Sequence, residues 1–239
     1  MDEDIYEARR RAIVVAIEEL RDLCRDGCAL GLGTGSTMMQ FIETLAKLNE
    51  VSILRKSVVY PSSRSTASKL LELGVAPSMI DTYTDRISID IYIDSADEVD
   101  RRLFMIKGGG GALLREKVLT MLSKTSVFIV DYLKLSDYIG SKKPVPIEVS
   151  PPALPLALKT LKELGFQPRV RASKTSYGAT YSDNGNVLVD LATGPLKDPE
   201  SVDRELMQIP GIVVTGIFLN KYVSKIVVGY RDRVDVLTP

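Results

Sequence analysis

Apolar residues recur through residues 5–23 at positions such as Ile13, Ile17 and Leu20, with charges between them. That spacing predicts an amphipathic helix. A short apolar strand over 28–32 follows and runs into glycines, and Met38, Phe41, Ile42, Leu45 and Leu48 then mark one face of a second helix. The pattern goes on as strand 57–60, helix 65–73, strand 89–93 ending in acidic residues, strand 104–107, helix 112–122 and strand 126–130. Alternating β and α units of this length predict an α/β domain, a parallel sheet with helices on both faces.

The rhythm changes near Lys143 and Pro144. From there the expected order is strand 147–149, helix 153–164, strand 169–172 and strand 178–181. Asp183, Asn184, Gly185 and Asn186 form a tight-turn signal leading into strand 187–191. A helix over 199–208 and a strand over 212–218 follow. A split β-α-β order of this kind predicts a small α+β domain. Strand 225–229 is expected to return to the first domain. The expected division is therefore 1–145 plus 221–239 for the larger domain and 146–220 for an inserted smaller one. A chain of 239 residues suits that arrangement.

Charge and composition narrow the chemistry. Lys plus Arg and Asp plus Glu both number 31, so no basic surplus argues for a nucleic-acid partner. No apolar run approaches the ~18 residues of a membrane span. The acidic opening, residues 1–4, is unlike a signal peptide, so the cytoplasm is the expected location. Histidine is absent, which leaves carboxylates, Lys, Tyr or Cys as general bases and excludes a Ser-His-Asp triad. Cys24 and Cys28 are the only cysteines, too few for a structural zinc site. They read first as small buried apolar residues, with a disulfide or redox pair as the alternative.

Three segments carry candidate chemistry. Gly31-Leu32-Gly33-Thr34-Gly35-Ser36-Thr37 lies between a strand and a helix. Its glycines permit close backbone approach, and the helix start offers free N–H groups that favour an anion. It lacks the Lys of a Walker A loop, and Ser36 stands where a dinucleotide fingerprint needs glycine. A small phosphorylated ligand fits better. Asp94-Ser95-Ala96-Asp97-Glu98 follows a strand, at the end where ligands collect in open α/β sheets. Those carboxylates suit sugar hydroxyls, proton movement or magnesium; their spacing is not that of a calcium loop. Lys107-Gly108-Gly109-Gly110-Gly111 leads into a helix holding Arg115, Glu116 and Lys117. Four successive glycines are costly to order, which points to a special backbone path or a close ligand.

Together these segments, GTGST at 33–37, DSADE at 94–98 and KGGGGALLREK at 107–117, resemble the signature regions of type A ribose-5-phosphate isomerases. The similarity extends to 144–149, 182–186 and 209–211, and so covers nearly the whole chain. The resemblance implies a Rossmann-like domain carrying a small α+β domain, and the interconversion of ribose 5-phosphate and ribulose 5-phosphate. It implies phosphate contacts from Thr34, Gly35, Ser36 and Thr37, and sugar contacts from Asp94, Ser95, Ala96, Asp97, Lys107, Gly108, Gly109 and Gly110. Glu116 matches the family's general base, and Lys134 a further substrate contact.

Ser95, Gly111 and Leu114 depart from the usual glycine, alanine and polar residue. A phosphate-holding lysine near the N-terminus is replaced within Arg9-Arg10-Arg11, and Arg10 is the expected substitute. The reaction implied is proton transfer by Glu116 through an enediol. Lys107 would stabilise the developing oxyanion, while Asp94 and Asp97 would orient hydroxyls and assist ring opening. No cofactor and no metal are expected, and the resemblance implies a homodimer or homotetramer. A sugar-phosphate sensor would need an output module, and none is legible. The lack of histidine and the 107–117 run weigh against an amino-sugar phosphate deaminase.

Overall fold

The structure is a computed structural model and describes residues 3–82, 84–173 and 178–239. The first two residues of the acidic opening lie outside the described residues. In chain order the first elements are α1 (Glu3–Leu23), β1 (Ala29–Leu32), α2 (Ser36–Lys47), α3 (Val51–Lys56), β2 (Val58–Pro61), α4 (Arg64–Glu72) and β3 (Ile89–Ser95). Then come β4 (Glu98–Asp100), β5 (Met105–Ile106), α5 (Leu113–Leu122), β6 (Ser123–Asp131), β7 (Leu135–Ser136) and β8 (Val145–Val149). The remainder is α6 (Leu154–Glu163), β9 (Gln167–Val170), β10 (Val187–Ala192), α7 (Pro199–Met207), β11 (Ile212–Thr215), β12 (Ile217–Phe218), β13 (Lys225–Gly229) and β14 (Val234–Leu237).

The chain divides into two compact units: Met1–Ala96, Arg115–Lys134 and Lys221–Pro239 form one, Asp97–Leu114 and Leu135–Asn220 the other. This differs from the division expected from the sequence. Residues 97–114 and 135–145 group with the smaller unit because β4, β5 and β7 do not join the parallel sheet. They pair instead with β12 in a sheet ordered β12-β5-β4-β7.

The first unit is the Rossmann-like one. Its six-stranded sheet runs β14-β13-β6-β3-β1-β2. The neighbours from β13 to β2 are parallel, and only β14 is antiparallel. Leu30, Leu32, Ile91, Ile93, Val127 and Ile129 are buried in one apolar core. Ala8, Ala12, Ala16 and Leu20, four apart on α1, bury a face together with Ile13 and Ile17, as helical periodicity requires. The helix packs close to β13 at Gly229, where a Cβ would overlap the backbone of Ala8.

The cysteines overturn the first sequence reading: Cys24 and Cys28 form a disulfide, with Cα atoms 5.1 Å apart. The chain reverses between α1 and β1 through Gly27, at φ +96°, and the Gly27 N–H donates to the Cys24 carbonyl at 3.0 Å. That turn brings the two Cα atoms to bonding distance.

The second unit has an antiparallel sheet ordered β11-β8-β10-β9, with Val145, Ile147, Val149, Val187, Val189 and Leu191 in its core. The strand expected at 178–181 is reduced to bridges at Ala179 and Tyr181. The strand expected at 212–218 is cut at Gly216, whose N–H donates to the Pro146 carbonyl and whose carbonyl accepts from the Lys107 N–H at 2.9 Å. A side chain at 216 would overlap the Lys107 carbonyl. The chain therefore leaves one sheet there and enters the other.

Candidate active site

In the parallel sheet β1 has β2 on one side and β3 on the other. The chain thus steps out from β1 to β2 and then back across β1 to β3, so the winding reverses between β1 and β3. Ligands of open α/β sheets bind at such a switch, beyond the carboxyl ends of the strands. The loop after β1 and the acidic end of β3 both lie there.

The loop is shaped by what faces it. Gly31 is in register with Tyr92 of β3, and a Cβ at Gly31 would lie 2.6 Å from the Tyr92 ring. A Cβ at Gly33 would overlap the carboxylate of Asp94. Gly35, at φ +110°, caps α2 without a side-chain hydrogen bond, so the N–H groups of Ser36 and Thr37 open a helix of 12 residues. Such an N-terminus attracts an anion. Thr34 turns away into a hydroxyl cluster: its Oγ1 lies 2.6 Å from Ser62 Oγ and donates to Ser63 Oγ at 2.7 Å. Thr66 Oγ1 closes the cluster by donating to the Gly33 carbonyl at 2.9 Å.

Arg9, not Arg10, reaches this loop. Its Nη1 lies 3.4 Å from Ser36 Oγ, and its Nε donates to Asp131 Oδ2 at 2.7 Å. Asp131, 1% exposed, ends β6 and also accepts from the Leu133 N–H at 3.2 Å. Arg10 is one residue on, about 100° around the helix. It bonds Glu7 at 2.8 Å and lines a surface hollow of about 290 Å³ with Arg11 and Arg233. Lys134 ends the short turn after β6 and is half-buried.

Asp94 is fully buried and accepts from the Tyr92 hydroxyl and from the Ser95 N–H, the latter at 2.7 Å. Ser95 is half-buried, and Ala96 is buried at the end of this unit's first segment. Glu116 sits in the first turn of α5, 3% exposed, with Thr120 donating to its carbonyl at 2.7 Å. Burial pushes the Tyr92 phenol well above its ordinary pKa, and the charges of Asp94 and Glu116 push it the same way. The phenol therefore keeps its proton near neutral pH and donates it. Tyr92 thus hydrogen-bonds Asp94 and lies within the field of Glu116.

The second unit holds the other candidates. Asp97 accepts from the Gly109 N–H at 2.7 Å, and a side chain at 109 would crowd that carboxylate. Gly108 (φ +103°) and Gly111 (φ +79°) adopt the left-handed conformation open to glycine, with the Gly111 N–H donating to the Gly108 carbonyl at 3.0 Å. Lys107 is 3% exposed, its ammonium 5.5 Å from the centroid of the Phe218 ring. Arg171 donates to the Gly108 and Gly109 carbonyls at 3.1 and 3.2 Å while forming an ion pair with Asp190. Glu148, fully buried, takes hydrogen bonds from Ser182 and Asn186 at 2.8 Å and from the Leu114 N–H at 3.3 Å. Gly110 is exposed.

Sequence reasoning missed Arg9, Asp131, Tyr92, Ser62, Arg171 and Glu148. Tyr92 was within reach of it: two residues before Asp94 on a strand, it must share that residue's face. Among the described residues, no group of three or more His, Cys, Asp or Glu side chains could hold a metal ion. No described helix is long and apolar enough to cross a membrane.

Comparison with known proteins gives a consistent result. A family model described as ribose 5-phosphate isomerase A (phosphoriboisomerase A) matches residues 58–233. The chain is 42% identical over 191 residues to the ribose-5-phosphate isomerase A of Aeropyrum pernix, covering 80% of this chain and 78% of that one. It is 35% identical to that of Methanococcus aeolicus, covering 96% and 99%. The solved ribose 5-phosphate isomerase A of Methanocaldococcus jannaschii superposes with a TM-score of 0.86 at 31% identity, covering 98% of this chain and 99% of that one. A D-ribose-5-phosphate isomerase solved in complex with phospho-erythronic acid superposes at 0.88 and 32% identity, again over 98% and 99%.

Proposed function

Because the chain belongs to the ribose 5-phosphate isomerase A family, we propose that it interconverts D-ribose 5-phosphate and D-ribulose 5-phosphate, with Glu116 moving the proton. The observation that carries this reading is the shared sheet edge of β1, β3 and β6. These adjacent parallel strands end in the anion-type loop, Asp94 and the Asp131–Arg9 pair respectively.

The phosphate is held by the N–H groups at the start of α2, by Ser36 and Thr37, and by the Arg9 guanidinium, with Lys134 as a further cation. Binding energy spent on that remote group positions the reacting carbons. The Glu116 carboxylate removes the C2 proton of the open-chain aldose. The electron pair forms the C1–C2 double bond, and the C1 oxygen takes up negative charge. Lys107 stabilises that charge. The carboxyl of Glu116 returns its proton to C1, while the C2 hydroxyl gives its own proton to the C1 oxygen and becomes the ketone. Asp94 and Asp97, with Ser95, Ala96 and the 108–110 glycines, orient the sugar hydroxyls and assist ring opening. No net oxidation occurs, so the scheme calls for no cofactor.

A relative's complex with phospho-erythronic acid supports a site for a short phosphorylated polyol chain bearing an anionic oxygen. A homodimer or homotetramer acting in the cytoplasm belongs to the same proposal. The test is direct assay with ribose 5-phosphate, following ketose formation. Absence of turnover, with ribose 5-phosphate bound, would turn the protein into a sugar-phosphate sensor.

A further inference from the structure

We infer that Tyr92 is a positioning residue of this enzyme: its hydroxyl orients the Asp94 carboxylate toward the sugar. The inference rests on the reading of Asp94 as a sugar-orienting group.

Tyr92 is fully buried. Its ring packs edge-on against Phe128, with centroids 6.1 Å apart, and opposite Gly31, which leaves room for it. A ring so confined cannot carry its hydroxyl elsewhere. That hydroxyl donates to Asp94 Oδ2, while Oδ1 accepts the Ser95 N–H at 2.7 Å. One bond to each oxygen fixes the plane of the carboxylate. Beside the phenol, the Ser62 hydroxyl lies 2.6 Å from Thr34 Oγ1 in the loop. Ser62 is itself fully buried. Tyr92 and Asp94 therefore form one buried hydrogen-bonded pair at the sugar end of the site. Such a pair is stiff, because each buried polar group that loses its partner pays a desolvation penalty.

The phenol's elevated pKa supports the same role. Burial, Asp94 and Glu116 all oppose ionisation, so Tyr92 can donate to Asp94 at any working pH but cannot itself act as a base near neutrality. Its part is to hold.

The test is a double-mutant cycle of Tyr92→Phe and Asp94→Asn, read by kcat and KM for ribose 5-phosphate. Inhibition by inorganic phosphate serves as a control on the anion site. Tyr92→Phe keeps the ring and its packing. It should lower kcat roughly tenfold, with KM and phosphate inhibition within about threefold of the parent. In the Asp94→Asn background the same change should cost almost nothing, because the group it positions is gone. Parental kcat in Tyr92→Phe, or losses that multiply in the double variant, would overturn the inference. If Tyr92→Phe does not fold, Tyr92→Met, which also lacks the hydroxyl, takes its place in the cycle. It should lose severalfold in kcat, absorbed by Asp94→Asn, and an unchanged kcat would again overturn the inference. Near-parental turnover in Asp94→Asn alone would remove the reading of Asp94 and this inference with it. Loss in Asp94→Asn beside a parental Tyr92→Phe would remove this inference only.

Discussion

Gly33 has no side chain because Asp94 occupies the space one would fill: a Cβ there would overlap the Asp94 carboxylate. The Gly33 N–H donates to the Ile93 carbonyl at 2.9 Å, holding loop and strand end together at that point. The loop after β1 and the acidic strand end are thus fitted to one another, and neither can shift alone. The glycines of such a loop are usually credited to ligand approach. Here the constraint comes first from the protein itself.

Gly33→Ala should therefore damage the sugar end of the site as well as the anion end. Overpacking of this kind costs roughly 1–3 kcal/mol of stability, and the displaced carboxylate should cost activity beyond that. The measurement is kcat and thermal midpoint together. A variant with parental kcat and midpoint would show that loop and carboxylate move apart freely.

Arg9 and Arg10 separate the two arginine hypotheses. Hydrogen bonds to charged groups contribute about 1.5–3 kcal/mol, so Arg9→Ala should raise KM by roughly 10–150-fold with a smaller change in kcat. Arg10→Ala should leave KM nearly unchanged, since its guanidinium pairs with Glu7 in a half-exposed position. Asp131→Asn, which weakens the hold on Arg9, should fall between them. Steady-state kinetics on the three variants decides it, and equal effects of Arg9 and Arg10 would refute the assignment.

What the sequence revealed, and what it hid, follows from the range of each interaction. Ile13, Ile17 and Leu20 announce α1 because helical burial repeats every three to four residues. GTGST and the lysine-glycine run are local, so they are legible. Arg9 meets Ser36 and Asp131 across 27 and 122 residues of chain, and nothing in Arg9-Arg10-Arg11 ranks one above another. Arg171 lies 62 and 63 residues from the carbonyls it holds and reads in sequence as one more surface charge. The hydroxyls of Ser62, Ser63 and Thr66 look like an ordinary helix start, which they also are: Ser63 caps α4 by accepting from the Thr66 N–H. The small sheet of β12, β5, β4 and β7 was illegible because strands of two or three residues have no period to read.

Glu116 is the simplest assignment to test. Glu116→Gln preserves volume and most hydrogen bonding but cannot accept the substrate proton. General-base catalysis is worth about 10²–10⁴-fold, and kcat should fall by that factor with little change in ribose 5-phosphate affinity. Exchange of the C2 proton with deuterated solvent should slow in parallel. A variant that isomerises at the parental rate would pass the proton transfer to Asp94 or Asp97.

The Cys24–Cys28 disulfide makes a prediction about stability in a short loop. It closes residues between the end of α1 and the start of β1, and both elements lead to the anion site, one through Arg9 and the other through Gly33. For a loop of about five residues the chain-entropy model gives roughly 2 kcal/mol of stabilisation. At the scale of this chain that corresponds to a thermal midpoint roughly 4–8 °C lower on reduction or in Cys24→Ser/Cys28→Ser. Activity at moderate temperature should hardly change, because the hydrogen bonds around Gly33 and Asp94 do not involve the sulfurs. Cys24 is fully buried, so reduction should require partial unfolding or prolonged exposure to thiol. Calorimetry with and without reductant checks the first point and the ribose 5-phosphate assay the second. A midpoint indifferent to reductant, with free thiols confirmed by labelling, would show that the reversal at Gly27 holds α1 and β1 together without the bond.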